Sequence, residues 1–336
     1  MAKIKLTLVD AIYINNSGGK VLLDYLINTI IEKKLSIFFY FLLDSRGEYN
    51  YLDEIDYEFL NSSERSRYQF YKGNQNRFSK VLCFGNVPPS MKLKANVYVY
   101  FHNVLLAESL KEYPLKNKLL KYLKRSFIRY FMKNVDEVFV QTSYVKELFK
   151  KKINNKVKVS VLPFYSLFER EKGKKTEEFV YVSNGNPHKN HSFLLDVWKE
   201  LGELKLYPVL NLTITEDYQS LIERIDSLKV IGIKINNHGF TSVSNLFAHS
   251  NYLIYPSLKE SFGLGLVEAV HGELKVIGAD LPYTYEVVKP SLRFNPKDVN
   301  SLVLQLIKVI NKEINLERSE IIVDDKINEL IEKVLN

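Results

Sequence analysis

The chain has 336 residues, 46% of them apolar and 26% charged, with 47 Lys and Arg against 39 Asp and Glu for a net charge of +8. That length exceeds what one hydrophobic core usually fills, so two domains are expected, and the apolar fraction excludes a disordered or fibrous chain. The single Cys83 excludes an internal disulfide framework and points to a reducing compartment, while the positive excess favours anionic partners: nucleotide sugars, acidic lipid or nucleic acid.

The opening M-A-K-I-K-L-T-L-V-D reads as a strand over residues 3–9 and lacks the apolar core and cleavage site of a secretory signal. No window approaches the roughly 20 apolar residues of a spanning helix, so the expected location is cytoplasmic, with membrane contact only from the surface. Residues 15–20, N-N-S-G-G-K, read as a loop, and Leu22, Leu23, Leu26, Ile27, Ile30 and Ile31 give residues 21–32 a helical period. Strand, glycine loop and helix open a doubly wound α/β domain. A P-loop is excluded because G-x-x-x-x-G-K-[ST] is absent. Residues 36–43 form a second strand, and residues 47–67 are polar and assign to no element. Residues 81–84, where Cys83 reads as a buried structural thiol, and 97–101 are further strands. His102 then stands at the carboxyl end of the second of these, the edge at which open α/β sheets carry catalytic groups; a satisfied structural histidine is the competing reading.

Residues 115–134, L-K-N-K-L-L-K-Y-L-K-R-S-F-I-R-Y-F-M-K-N, hold seven basic residues and no acidic one, interleaved with Leu119, Leu120, Leu123, Phe127, Ile128 and Phe131. A basic amphipathic helix with aromatic residues suits an anionic membrane surface, and part of its apolar face must also serve the domain core. Residues 135–141 are a strand, Thr142 and Ser143 cap a helix over 144–150, and 157–162 is the last strand of this half. The polar run 163–178 reads as a linker.

A second strand, loop and helix follow over 179–201, and the loop is basic: Lys189 is placed to neutralise a diphosphate as a point charge. Residues 209–215 form a strand, 218–228 a helix, and His238-Gly239-Phe240-Thr241 a turn before the helix 243–248. The apolar run 252–255 leads into Y-P-S-L-K-E-S-F-G-L-G-L-V-E-A-V, residues 255–270. Here a loop carries Glu260, Gly263 and Gly265, a helix starts near Leu264, and Glu268 lies about one turn inside it. Free N–H groups at a helix start suit a diphosphate, glycines let a ligand approach the backbone, and a carboxylate accepts two hydrogen bonds from a vicinal diol. Residues 273–279 continue as a strand, and the helices 299–313 and 326–335 are amphipathic. The domain plan is 1–170, 171–320 and a final helix, 321–336, packing back across the domains.

The run E-S-F-G-L-G-L-V-E resembles the E-x7-E motif of retaining GT-B glycosyltransferases, family 4, in its spacing, the F-G between the glutamates, the preceding P-S and the following E-A. G-x-x-V-I-G-A-D and F-N-P-K-D further on fit the same family. The resemblance runs from Phe179 to Leu302 and is faint in the first half. It implies an α/β fold of two Rossmann-like, doubly wound parallel-sheet domains facing across a cleft, the first (1–170) on the acceptor side and the second (171–320) binding the nucleotide sugar, and transfer of a sugar from a nucleotide-diphosphate sugar with retention of configuration. By the same resemblance Glu268 would bind the ribose hydroxyls and Glu260 those of the transferred sugar. Ser261, Phe262, Gly263 and Leu264 would meet the sugar or phosphate, Lys189 the diphosphate, and Gly239 and Phe240 the nucleobase. Gly18 and Gly19 would approach the donor diphosphate, and His102 would face the reacting sugar as a catalytic residue beside Glu260. Family members commonly carry an arginine where Asn184 stands, so the second phosphate anchor departs from the pattern.

No D-x-D metal motif is found, and Asp53-Glu54-Ile55-Asp56 reads as solvated surface. Lys189 and helix N-termini offer the other route to neutralising the leaving group, so no metal or other cofactor is expected. A glycosidase carboxylate pair would not need the lysine loop or two nucleotide-binding halves. Nor does the basic run match a nucleic-acid module. The expected acceptor is a lipid-linked glycan, such as an O-antigen or capsule precursor, at the inner face of the cell membrane. The alternatives are a nucleotide-sugar epimerase of the same architecture and a non-catalytic, membrane-bound partner of a transferase.

Overall fold

The computed structural model describes residues 6–108 and 115–336, with the side chains of residues 115–117 outside the description. The chain divides into two compact units, residues 1–166 with 324–336, and residues 167–323. In the first unit the order is β1 (Leu6–Ala11), α1 (Ser17–Glu32), β2 (Phe39–Asp44), β3 (Tyr57–Leu60), α2 (Glu64–Gly73), β4 (Phe78–Cys83), β5 (Asn96–Phe101), α3 (Leu115–Phe131), β6 (Glu137–Val140), α4 (Ser143–Lys152) and β7 (Lys158–Val161). The second unit continues with β8 (Thr176–Tyr181), α5 (His191–Glu203), β9 (Leu210–Leu212), α6 (Gln219–Val230), β10 (Ile235–Asn237), α7 (Val243–His249), β11 (Ser250–Tyr255) and α8 (Leu264–His271). It closes with β12 (Lys275–Ala279), α9 (Pro282–Val287), β13 (Val288–Lys289), β14 (Leu292–Phe294), α10 (Val299–Ile310) and β15 (Glu320–Ile321), after which α11 (Ile327–Leu335) returns to the first unit.

The first unit's parallel sheet has the order β3-β2-β1-β4-β5-β6-β7, and the second's has β10-β9-β8-β11-β12-β14. Each order reverses direction once, at β1/β4 and at β8/β11, and there the loops leaving neighbouring strands part to open a crevice. Alternation of side chains along the strands builds a core on each face of the first sheet. Leu8, Leu42, Val81, Val99 and Phe101 point to one side, and Val9, Phe41, Leu82 and Tyr100 to the other. Ile327, Leu330, Ile331 and Val334 of α11 fill that second core, and Thr7 Oγ1 donates to the Val334 carbonyl at 2.8 Å. The final helix is thereby part of the first unit's own packing.

Two local differences from the sequence reading have physical reasons, and a third is one of bounds. The helix expected from residue 21 begins at Ser17, so Gly18 and Gly19 form its first turn, where helix N–H groups have no intrahelical partner and glycine costs little. The polar stretch 47–67 contains β3 and the start of α2, whose N-terminus Ser63 caps by accepting from the Ser66 N–H at 3.2 Å. The strand expected over 3–9 is described from Leu6 to Ala11, residues 1–5 lying outside the described residues. In α3, Ile128 is buried while Leu119, Leu120, Tyr122 and Leu123 are all more than half exposed. No helix among the described residues is long and apolar enough to cross a membrane.

Candidate active site

In the second unit the loops after β8 and β11 leave from the switch point and are tied together. The Leu258 N–H donates to the His188 carbonyl at 2.8 Å, Tyr181 OH donates to the Lys189 carbonyl at 3.0 Å, and Asn190 Nδ2 reaches the carbonyls of Pro256 and Pro296. This brings Lys189 Nζ to 2.7 Å from Glu260 Oε1. Ser257 Oγ, at 2.5 Å, and Tyr255 OH, at 3.1 Å, donate to the same oxygen, and none of the three uses Oε2. The pair keeps only 20% and 11% of its side-chain surface. Burial disfavours the Lys189 ammonium, but the Glu260 carboxylate and the Tyr181 hydroxyl outweigh it and leave the lysine pKa raised. Lys189 is a fixed positive charge.

Gly263 caps α8 at φ 90°, a left-handed conformation that glycine adopts without strain, and no side chain caps this end. The first-turn N–H groups of α8 are therefore left without a side-chain cap. A Cβ on Gly265 would lie 3.1 Å from the Tyr255 ring, so the small residue lets α8 seat against β11. Glu268 follows one turn later. Burial pushes its carboxyl up to about 7, and among the described residues nothing hydrogen-bonds or ion-pairs with it. Glu268 is only part-buried, and its carboxyl is free to accept hydrogen bonds. Phe262 is buried, which assigns its ring to the core.

Asn184 bonds to its own loop and to the start of α5. Its Oδ1 accepts from Asn186 Nδ2 at 2.9 Å, and its carbonyl accepts from His191 Nε2 at 2.9 Å. Since a carbonyl can only accept, His191 is protonated on Nε2, and burial lowers its pKa to about 4, which keeps it neutral. Asn184 thus shapes the loop and supplies no cation. Gly185, unnoticed in the sequence, is required here because a Cβ would meet the Tyr218 ring at 2.3 Å. Gly239, at φ 62°, and Phe240, 98% exposed, follow the edge strand β10, which β9 separates from β8.

In the first unit, His102 follows β5 beside the β1/β4 switch point. Asn86 Oδ1 accepts the N–H groups of His102 and Asn103 at 2.7 and 2.9 Å, which fixes the orientation of that amide. Its Nδ2 then donates to His102 Nε2 at 3.3 Å, so the imidazole proton sits on Nδ1, where it meets no partner among the described residues. Burial lowers the His102 pKa to about 4 and keeps the ring neutral. A Cβ on Gly19 would stand 3.3 Å from His102 Nε2, whereas one on Gly18 would meet nothing within 4 Å. Gly19 and His102 are neighbours, and Gly18 lies open.

Sequence reasoning missed Asp10, Glu64 and Arg67. The Arg67 side chain is 2% exposed; its Nε donates to Asp10 Oδ2 at 2.6 Å and Nη1 to Glu64 Oε1 at 3.2 Å, while the carbonyls of Pro88 and Val87 accept at 2.9 and 2.8 Å. One buried guanidinium thereby joins β1, α2 and the loop after β4. The only local signal was the helical spacing of Glu64, Arg67 and Tyr71 inside a stretch polar enough to pass for loop. Among the described residues no cluster of three or more His, Cys, Asp or Glu side chains is placed to hold a metal ion.

Comparisons with known proteins agree with this architecture. Residues 166–323 match the model of the family described as glycosyl transferases group 1. Over 138 residues the chain is 30% identical to the O-antigen chain mannosyltransferase RfbU of Salmonella typhimurium, a match spanning 39% of this chain and 38% of that protein. Solved structures superimpose over nearly the whole chain. Sucrose-phosphate synthase from Thermosynechococcus elongatus gives a TM-score of 0.69 at 12% identity, covering 91% of this chain and 90% of that one. WaaG, a glycosyltransferase involved in lipopolysaccharide biosynthesis, gives 0.68 at 14% identity, covering 91% of each. The lipopolysaccharide outer core galactosyltransferase WaaB gives 0.64 at 15%, covering 93% and 92%. The chain therefore has the GT-B fold, and its residues 166–323, just under half of it, match the family of group 1 glycosyl transferases.

Proposed function

We propose that this protein transfers a sugar from a nucleotide-diphosphate sugar to a lipid-linked glycan at a membrane surface, without a metal and with retention of configuration. The observation that carries the reading is the Lys189–Glu260 ion pair in the loops before the uncapped start of α8, with Glu268, which has no partner among the described residues, about one turn inside that helix. In this reading the donor diphosphate meets the Lys189 ammonium and the α8 N–H groups, which neutralise the charge that grows on the leaving group. Ribose hydroxyls donate to Glu268, and a hydroxyl of the transferred sugar donates to Glu260 Oε2, the oxygen its protein partners leave unused. Front-face attack assisted by the leaving phosphate accounts for retention without an enzymic nucleophile. The name of the curated relative supports a mannosyl donor and a surface-polysaccharide acceptor. The exposed Leu119, Leu120 and Tyr122 of α3, among Lys118, Lys121 and Lys124, support membrane contact.

Turnover tests this directly. Glu260→Ala and Lys189→Ala should each lower transfer by at least about a hundredfold, the range for losing one group that stabilises a developing charge, while thermal melts stay cooperative. Near-normal transfer by both variants would contradict the site, and consumption of donor with no acceptor present would favour an epimerase.

A further inference from the structure

The Glu260 carboxylate is held by one oxygen only. Lys189 Nζ, Ser257 Oγ and Tyr255 OH all meet Oε1, at 2.7, 2.5 and 3.1 Å. Oε2 has no partner among the described residues, and it is not one of their buried unpaired atoms, so it keeps accessible surface.

The two hydroxyl donors are themselves fixed. Ser257 has no exposed surface, and its carbonyl accepts from Tyr283 OH of α9 at 2.6 Å. Tyr255, 3% exposed, ends β11 with its ring 5.5 Å from that of Tyr181 and 6.1 Å from that of Tyr283. Burial raises the Tyr255 and Tyr283 hydroxyls well above their ordinary value, so both stay protonated and donate. Tyr181 gives its one proton to the Lys189 carbonyl, which can only accept, and the nearby carboxylate takes the proton of Ser257. A carboxylate held by a lysine alone is free to turn and share the ammonium between both oxygens. Here that rotation would break two further hydrogen bonds, each to a charged acceptor in a site withdrawn from water.

We propose that Ser257 and Tyr255 are positioning residues, which reserve Glu260 Oε1 for the protein and thereby turn Oε2 to the ligand. The proposal rests on the transferase reading above and adds to it the device that separates sugar recognition from the ion pair. Both hydroxyls act through Glu260, since each spends its proton on Oε1. An ionised Oε2 accepts and does not donate, so the site selects a ligand that presents a hydroxyl at that point over one that presents an ether oxygen or none.

Ser257→Ala, Tyr255→Phe and the double variant remove hydroxyls without adding a group. Calorimetry with UDP-glucose, GDP-mannose, ADP-glucose and dTDP-glucose, each against its parent diphosphate, separates the sugar from the nucleotide. For the nucleotide sugar that wild type binds best, each single variant should lose at least about tenfold in affinity, and the double variant more, the loss expected for a hydrogen bond to a charged group. Affinity for the parent diphosphate should change less than about threefold. A general disturbance of the loop would weaken both ligands alike, and that result, or no loss for either, would overturn the proposal. Crystal structures of wild type and the double variant read the carboxylate itself. Glu260 should keep Oε2 unpartnered in wild type, and in the variant should meet Lys189 through both oxygens or take a second rotamer; an unmoved Glu260 would overturn the proposal. Binding of none of the four nucleotide sugars by wild type would count against the donor reading, and the two crystal structures then decide the positioning claim by themselves.

Discussion

Burial alone lifts the Glu268 carboxyl from an ordinary value of 4.5 to about 7. Between those values the folded protein holds a proton that the unfolded chain has released, so stability falls as pH rises from about 4.5 to 7 and is level above that. The shift corresponds to on the order of 3 kcal/mol at pH 8. Glu268→Gln should therefore melt higher than wild type at pH 8, with an advantage of about that size that vanishes near pH 4.5. An equal gap between the two proteins at both ends of that range would show that Glu268 is not desolvated. The same variant should bind nucleotide less well, because the group that costs stability is the one offered to the ribose. Glu260, Lys189 and Gly263 were legible in the sequence because a loop and a helix start carry them at fixed local spacing. Asn184 was legible only as a departure, since its bonds to Asn186 and His191 depend on how the loop folds. Arg67 was not legible at all: its partner Asp10 lies 57 residues away.

Among the elements, α3 joins two demands that its sequence pattern could not separate. Ile128 faces the core, Leu123 and Phe127 line a cavity of the first unit, and Leu119, Leu120 and Tyr122 are left to solvent. Periodicity showed an amphipathic helix, but which apolar residues the sheet would cover depended on the packing of β5 and β6. Each basic residue near an anionic lipid surface adds about 1 kcal/mol of attraction, and buried leucines add apolar transfer. The combined substitution Lys118→Glu, Leu119→Ser and Leu120→Ser should lower affinity for vesicles containing anionic lipid at least tenfold in a sedimentation assay, with little effect on melting because both leucines are exposed and Lys118 is only part-buried. Equal binding of wild type to neutral and anionic vesicles would contradict an electrostatic surface contact. The start of α1 carries a comparable lesson. Glycine suggested a loop, but at a helix's first turn it is tolerated, and here it lets the turn close on His102.

At the scale of the whole molecule, the repeated strand, loop and helix pattern gave two doubly wound units, and the structure has two parallel sheets that each reverse order once. The return of α11 to the first unit rests on long-range packing, Leu330 and Val334 sharing one core with Val9 and Leu23, which no local pattern encodes. Candidate polar residues stand at both switch points: Lys189 and Glu260 at one, and His102 and Asn86 near the other. The central claim is that the Lys189, Glu260 and Glu268 cluster binds a nucleoside diphosphate, and calorimetric titration of wild type, Lys189→Ala and Glu268→Gln with UDP, GDP, ADP and dTDP tests it most directly. The account predicts that wild type binds at least one of the four and that each variant binds it at least about tenfold more weakly, the loss expected when a charge-assisted hydrogen bond worth about 1.5–3 kcal/mol is removed. Binding of equal strength by all three proteins, or of none of the four nucleotides by wild type, would contradict it.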